Sequence, residues 1–368
     1  MADRIYSIDS MRIIAMAFVV TIHTDPFRGL NGYGNMVNFV TETAARFAVP
    51  FFFIASGYFF ALKITRRDPT AYLVRRVATI ASLYAVGLLL AFPVFLAGTA
   101  VRASAKNEDV ASSVVSELAE FVSPAELLYY GNSISVILWF LPALAFSLVF
   151  VYLFVRVDGT EYLLPVSLGF HVVGLLGASY TMFVGVPFEV RDALFFGFFY
   201  TSLGYALCAA DWRPRPERST RYLAATLLFG AVHLGERYVL GYVIPGETFA
   251  DGVYTASYTI ATALFTLSLF LFLLSRPDLG KHTSLPSWGN YAVGIYVVHP
   301  AVLYVLEHAG KALDATGYAV TDTFLWHLVL TPATFFGSLA VYLAILELGL
   351  YEPGEIRLPR LRRLTGSK

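Results

Sequence analysis

Cysteine and charge are both scarce in this sequence. Its 368 residues include one cysteine, Cys208, and 14% charged residues, whereas soluble domains carry about 25% charged residues. A single cysteine excludes a disulfide framework within the chain. The 26 basic and 26 acidic residues balance, which excludes a broadly basic nucleic-acid binder. The whole sequence is 57% hydrophobic and has a mean hydropathy of +0.64, which predicts a membrane protein.

Long apolar runs recur along the chain. Because about 20 residues of helix cross a bilayer, these runs predict an all-α integral membrane protein, a bundle of about ten transmembrane helices. The predicted spans are residues 8–24, 43–62, 77–100, 135–155, 163–181, 192–210, 222–242, 253–275, 290–306 and 323–350. No small-residue cleavage site follows the first run, so we expect it to be a span rather than a signal peptide.

Lysine and arginine are unevenly distributed between the predicted loops. These residues collect in short cytoplasmic loops. With both termini in the cytoplasm, 18 of them fall inside and five outside. The outer five are Arg28, Arg102, Lys106, Arg191 and Lys311. We therefore expect a multi-pass plasma-membrane protein with an even number of spans, a transmembrane domain over residues 1–355 and a basic cytoplasmic tail over residues 356–368.

The first predicted span carries two polar side chains at its ends. The stretch "SIDSMRIIAMAFVVTIHTDP", residues 7–26, contains Arg12 near the inner end and His23 near the outer end. On an α-helix their separation is about three full turns, so the two lie on one face, roughly 16 Å apart along the axis. Polar side chains aligned along one helix face indicate a path through the protein. The spacing alone also fits a simpler interpretation, in which Arg12 reaches the inner headgroups and His23 the outer interface.

Two later segments add polar groups inside apolar runs. His299 lies in "WGNYAVGIYVVHP" and precedes Pro300, and a proline frees a backbone carbonyl one turn earlier, beside the histidine ring. Both a structural and a functional role fit His299. Arg46 enters the second span, whose Ser56-Gly57 pair is small enough for close helix packing. Packing is a sufficient explanation for Ser56 and Gly57.

Five segments in order resemble the integral-membrane acyltransferase-3 family, which is typified by O-acetyltransferases of bacterial polysaccharides. They are "RIYSIDSMRIIAMAFVVTIHT", "VPFFFIASGYFF", "YLVRRVATIASLY", "LWFLPAL" and "VGIYVVHP". Arg12 and His23 match the family's arginine, ten residues and histidine. Ser56 and Gly57 match its FF-x-x-SG segment, and His299 matches its late Y-x-x-H-P.

One departure from the family pattern is visible. The leucine-aspartate-glycine that usually precedes the motif arginine is replaced here by Ile8-Asp9-Ser10-Met11, which keeps the acid and loses the glycine. The candidate catalytic pair, Arg12 and His23, is unaffected.

The resemblance implies a membrane-bound acyltransferase. Such proteins commonly move acetyl from acetyl-CoA in the cytoplasm to a hydroxyl of a glycan or other acceptor at or beyond the membrane. His23 is the candidate base, since an imidazole has an unperturbed pKa of about 6.5, and Arg12 is a fixed cation for the donor's phosphate or carbonyl. The further candidates for substrate or donor binding are Arg46, Ser56, Arg75, Arg76 and His299.

The expected partners are an acyl-CoA donor, a glycan, glycolipid or small-molecule acceptor, and the lipid bilayer, without nucleic acid. We expect acyl-CoA as a substrate and no bound cofactor or metal, because no histidine-carboxylate cluster has ligand spacing on one helix. The competing hypothesis is a transporter or exporter of a glycan or small acylated molecule, and a structural subunit is a third. The sequence leaves open the acceptor, the acyl group, the oligomeric state and whether a covalent acyl-histidine forms.

Overall fold

The chain folds into packed helices. The computed structural model describes residues 4–121, 123–132, 134–210 and 212–349, and over these ranges it contains helices and turns without a strand. The α-helices are α1 (Tyr6–Thr24), α2 (Gly32–Ala45), α3 (Ala48–Ile64), α4 (Pro69–Ala105), α5 (Val110–Phe121), α6 (Phe140–Arg156), α7 (Thr160–Ala178), α8 (Phe198–Ala209), α9 (Ser219–Tyr238), α10 (Ile260–Ser275), α11 (Leu285–Trp288), α12 (Ala292–Asp314) and α13 (Phe324–Glu347). Shorter π-helical turns cover Ala125–Tyr130, Ala193–Gly197 and Val239–Val243, and 3₁₀ turns cover Val136–Trp139, Pro216–Arg218 and Gly289–Tyr291.

Eight helical stretches within the described residues are long and apolar enough to cross a membrane. They are Tyr6–Thr24, Gly32–Ile64, Pro69–Ser104, Val136–Arg156, Thr160–Ala178, Pro216–Val243, Leu285–Asp314 and Phe324–Glu347. Two shorter apolar stretches, Ala193–Ala209 and Ile260–Ser275, fall where the sixth and eighth spans were predicted. The prediction of a multi-pass helical membrane protein is confirmed. The count of about ten and the cytoplasmic location of both termini stay predictions.

The predicted eighth span begins too early. We expected it from residue 253, but α10 begins at Ile260 behind a capping box in which Thr259 and Thr262 bond each other's backbone N–H. Residues 253–259 stay outside the helix, and the carbonyls of Tyr254 and Ala256 accept hydrogen bonds from Arg237. The predicted tail, residues 356–368, and its boundary after residue 355 lie outside the described residues.

Helices α3 and α8 approach each other through glycine. A Cβ added at Gly57 would lie 1.9 Å from the carbonyl oxygen of Thr201, and one added at Gly204 would lie 1.9 Å from that of Ile54. The two backbones are therefore in direct contact at this crossing, as small residues allow in membrane proteins. Phe51 and Phe53, both fully buried, hold α3 in the core. The packing explanation of Gly57 is confirmed.

Candidate active site

Two histidines meet where the C-terminal end of α1 lies against the first half of α12. The ring centroids of His23 and His299 lie 5.5 Å apart, with the ring planes inclined by 37°. His299 is fully buried, whereas His23 is partly exposed. Asp25 follows the end of α1 and forms an ion pair with Arg28 at 2.8 Å. The sequence motif at residue 23 and the motif at residue 299 are thus brought into one site.

Pro300 fixes the orientation of the His299 ring. Proline has no backbone N–H, so the carbonyl four residues earlier, that of Tyr296, lacks its helical partner. His299 Nδ1 lies 2.7 Å from this carbonyl oxygen, and only a protonated Nδ1 can donate to it. In the neutral ring the lone pair then falls on Nε2, which is buried and has no hydrogen-bond partner among the described residues. His299 therefore offers a fixed acceptor beside His23.

A buried charge network holds Arg46 near these histidines. The Arg46 guanidinium bonds Glu42 and donates to the Thr255 carbonyl at 3.2 Å. Arg237, fully buried on α9, lies 3.8 Å from the second oxygen of Glu42 and donates to the Thr43 hydroxyl at 3.0 Å. Two arginines thus share one carboxylate. The positive charge of Arg46 lies within electrostatic range of His23.

Arg191 is a member of this cluster that sequence reasoning missed. We assigned it only to an outer loop, yet its guanidinium lies over the Trp139 ring, 5.3 Å from the centroid. The side chain is partly buried and acts electrostatically on both His23 and Arg46. The surroundings of the histidine pair are therefore cationic, which suits a site where negative charge develops on an oxygen.

Arg12 lies at the opposite end of α1 in a second cationic group. Asp9 bonds Arg4 at 2.6 Å and lies 3.8 Å from the Arg12 guanidinium, which is 31% exposed. Arg76, on the first turns of α4, is exposed and within electrostatic range of Arg12. Arg75 is exposed on the adjacent position of α4. Arg12 and Arg76 therefore share one side of the bundle, far from His23.

Ser56 lies on α3, one turn beyond Phe52, and is partly buried. Within the ranges that the structure describes, no group of three or more histidine, cysteine, aspartate or glutamate side chains is placed to hold a metal ion.

These features define a membrane-embedded helical bundle with a histidine pair near one face and a cationic group near the other. The sequence profile described as an acyltransferase domain matches residues 5–343, so the chain belongs to the acyltransferase-3 family. The family resemblance drawn from five short motifs is confirmed over nearly the whole chain.

Curated relatives are distant and longer. An amino-acid racemase of Enterococcus faecalis is 25% identical over 325 residues, which cover 84% of this chain and 43% of the relative. A serine/alanine racemase of Enterococcus gallinarum is 27% identical over 307 residues, covering 80% of this chain and 40% of the relative. The chain thus spans less than half the length of these relatives. No solved structure matches it significantly.

The shared carboxylate gives a first prediction. Glu42→Gln is expected to leave two buried arginines without their anion, and breaking a buried pair costs about 3–5 kcal/mol. Thermal unfolding of the purified protein should therefore shift to a clearly lower temperature, and Glu42→Asp should recover part of the loss. Glu247→Gln, at an exposed carboxylate, is the control. Equal midpoints for Glu42→Gln and the control would show that the network is not what holds Arg46.

Proposed function

We propose that this protein transfers an acyl group, acetyl first among them, from acyl-CoA at the inner face to a hydroxyl of a glycan, glycolipid or other acceptor at or beyond the plasma membrane. The acyltransferase family sets the reaction class. The single observation that carries the assignment is the pairing of His23 with His299, 5.5 Å between ring centroids, at the opposite end of α1 from Arg12.

In the proposed reaction the acceptor's hydroxyl oxygen attacks the thioester carbonyl carbon while His23 takes the hydroxyl proton. A carbon–oxygen bond forms, the carbon–sulfur bond breaks, and the thiolate leaves with its electron pair. His23 then returns the proton to sulfur, which gives the ester and free CoA. We assign proton transfer to His23 because it is partly exposed, whereas His299 is enclosed and its Nδ1 is held by the Tyr296 carbonyl.

The cationic surroundings fit the charge that this step creates. Attack on the thioester puts negative charge on the carbonyl oxygen, and fixed positive groups stabilise it most when water is excluded. Arg46 and Arg191 supply such charge near His23. At the inner end, Arg12 with Arg76 suits the phosphates of CoA, since guanidinium groups bind phosphate with two parallel N–H donors.

The racemase activity named for the relatives is not part of this proposal. The chain covers 43% of the amino-acid racemase and is 25% identical to it, and the site described here contains a histidine pair of the acyltransferase motifs. The competing function is export of a glycan or small acylated molecule. Thermal stabilisation by CoA and acetyl-CoA distinguishes an acyltransferase from such a carrier.

Arg12→Ala is expected to impair donor use. Loss of a hydrogen bond to a charged group costs about 1.5–3 kcal/mol, so KM for acetyl-CoA should rise at least about tenfold. Saturating CoA should raise the unfolding temperature of the wild type, because a ligand that binds the folded state stabilises it, and this shift should shrink in the variant. Arg156→Ala, at an exposed arginine ending α6, is the matched control. A wild type that CoA and acetyl-CoA leave unshifted would favour a carrier for an unrelated solute.

A further inference from the structure

A cavity lies against the middle of the α1 face that carries Arg12 and His23. Met16 and Val19 line it, and with Arg12 and His23 they follow one another at steps of four, three and four residues. Side chains at these steps share one helix face. The cavity therefore falls between the inner arginine and the outer histidine.

Two neighbouring helices line the same cavity and also carry polar side chains next to it. On α3, Val49 and Phe52 line the cavity, with Arg46 one turn before them and Ser56 one turn after. On α12, Ala292 and Tyr296 line it, and His299 follows. Met16 lies seven residues before His23, Ala292 lies seven residues before His299, and both line the cavity. Because the two histidines are also neighbours, α1 and α12 run in the same direction. The cavity begins about one helical turn, roughly 5 Å, inward of the histidine pair.

The lining of the cavity is apolar. Phe140, Leu141 and Val293 complete it, and it exposes no polar surface. The one hydroxyl among its lining side chains, that of Tyr296, already donates to the Ile137 carbonyl at 2.6 Å. A polar group placed there would lose its hydrogen bonds to water without replacement, which costs several kcal/mol in an apolar setting. An aliphatic chain has no hydrogen bonds to lose there.

The cavity is also small. Its volume is about 40 Å³, whereas an apolar cavity that holds benzene measures about 150 Å³. A chain of two or three carbons fits this volume, and a longer one would press against Phe52 and Phe140, which line it.

We propose that this cavity, formed by α1, α3, α6 and α12, receives the acyl chain of the donor and restricts the enzyme to acetyl and propionyl groups. The inference rests on the proposed function and adds the acyl selectivity to it. The thioester carbon lies at the histidine pair, and the chain points inward between Val19, Phe52 and Val293. The amide-bearing arm of CoA is the poorer occupant, because its amides would be unsatisfied there.

The test compares Val293→Ala and Val293→Phe with the wild type. Membranes that contain the protein are supplied with acetyl-, propionyl-, butyryl- or hexanoyl-CoA. Release of the CoA thiol is followed. The wild type should use the first two. One methylene in an apolar pocket changes kcat/KM by about 10- to 200-fold, so Val293→Ala should raise the butyryl-to-acetyl ratio at least about tenfold. Val293→Phe should lower propionyl use more than acetyl use. Val302→Ala, at a partly buried valine of α12 outside the cavity lining, should leave the ratio unchanged.

Thermal stabilisation by the same thioesters, and by free CoA, gives a second readout that needs no acceptor. An unchanged chain-length ratio in Val293→Ala overturns the inference and leaves the proposed function standing. Equal weakening of free CoA and all four thioesters also overturns it, because the CoA arm would then occupy the cavity. A wild type that neither consumes nor binds any acyl-CoA would instead remove the proposed function itself.

Discussion

His23→Gln is expected to lower acyl transfer at least about a hundredfold, since a positioned general base contributes about 10²- to 10⁴-fold. Glutamine keeps hydrogen-bonding capacity and similar bulk but cannot take a proton at neutral pH. Its neighbour His299 is held by the Tyr296 carbonyl and does not depend on His23 for its orientation. The variant should therefore fold, bind acetyl-CoA with nearly unchanged KM and lose kcat.

Transfer of labelled acetyl into the glycan and lipid fractions of membranes measures this loss. His282→Gln is the matched control, because His282 is exposed in the segment between α10 and α11. Turnover of the His23→Gln protein at the wild-type rate would refute the base assignment. A lost CoA-induced thermal shift in this variant would instead place His23 in donor binding.

The second large effect concerns the crossing of α3 and α8. Gly57→Val is expected to prevent normal accumulation of the protein, because a Cβ at this position meets the Thr201 carbonyl oxygen at 1.9 Å. Overpacking against flexible side chains costs about 1–3 kcal/mol, and a clash with backbone has no side chain to rotate away. Both helices would have to separate, so the loss should exceed that range.

Gly169→Val provides the comparison, because α7 leaves open space around Gly169 and nothing lies within 4 Å of an added Cβ. Yield after membrane extraction and the unfolding midpoint are the measurements. We expect Gly57→Val to unfold far below the wild type and Gly169→Val to unfold near it. Similar midpoints for both valine variants would mean that the crossing adapts and that Gly57 has another role.

Local chemistry explains what the sequence could predict about the site. Proline removes one particular helical hydrogen bond, so the pattern His299-Pro300 already indicated a free carbonyl beside the ring, and the Tyr296 carbonyl fills that role. Helical periodicity likewise places Arg12 and His23 on one face of α1. Both predictions need only the geometry of one helix.

Tertiary contacts explain what the sequence could not predict. The position of Arg191 over Trp139 depends on how the segment before α8 folds back onto another helix, and no periodicity reports it. The contact of Arg237 with Glu42 is similarly long-range, whereas the pair of Glu42 with Arg46 is only four residues apart. The spans were predicted from the length of the apolar runs, and this criterion fails at residues 253–259. Backbone carbonyls there accept hydrogen bonds from Arg237 and do not take part in a helix.

In the proposed reaction acyl-CoA donates from the face near Arg12 to an acceptor on the face near His23. Labelled acetyl-CoA supplied to sealed membrane vesicles of either orientation tests it most directly. We expect ester formation in inside-out vesicles, whose cytoplasmic face meets the donor, and little in right-side-out vesicles until they are permeabilised. Equal incorporation in both sealed preparations, or none after permeabilisation, would contradict it.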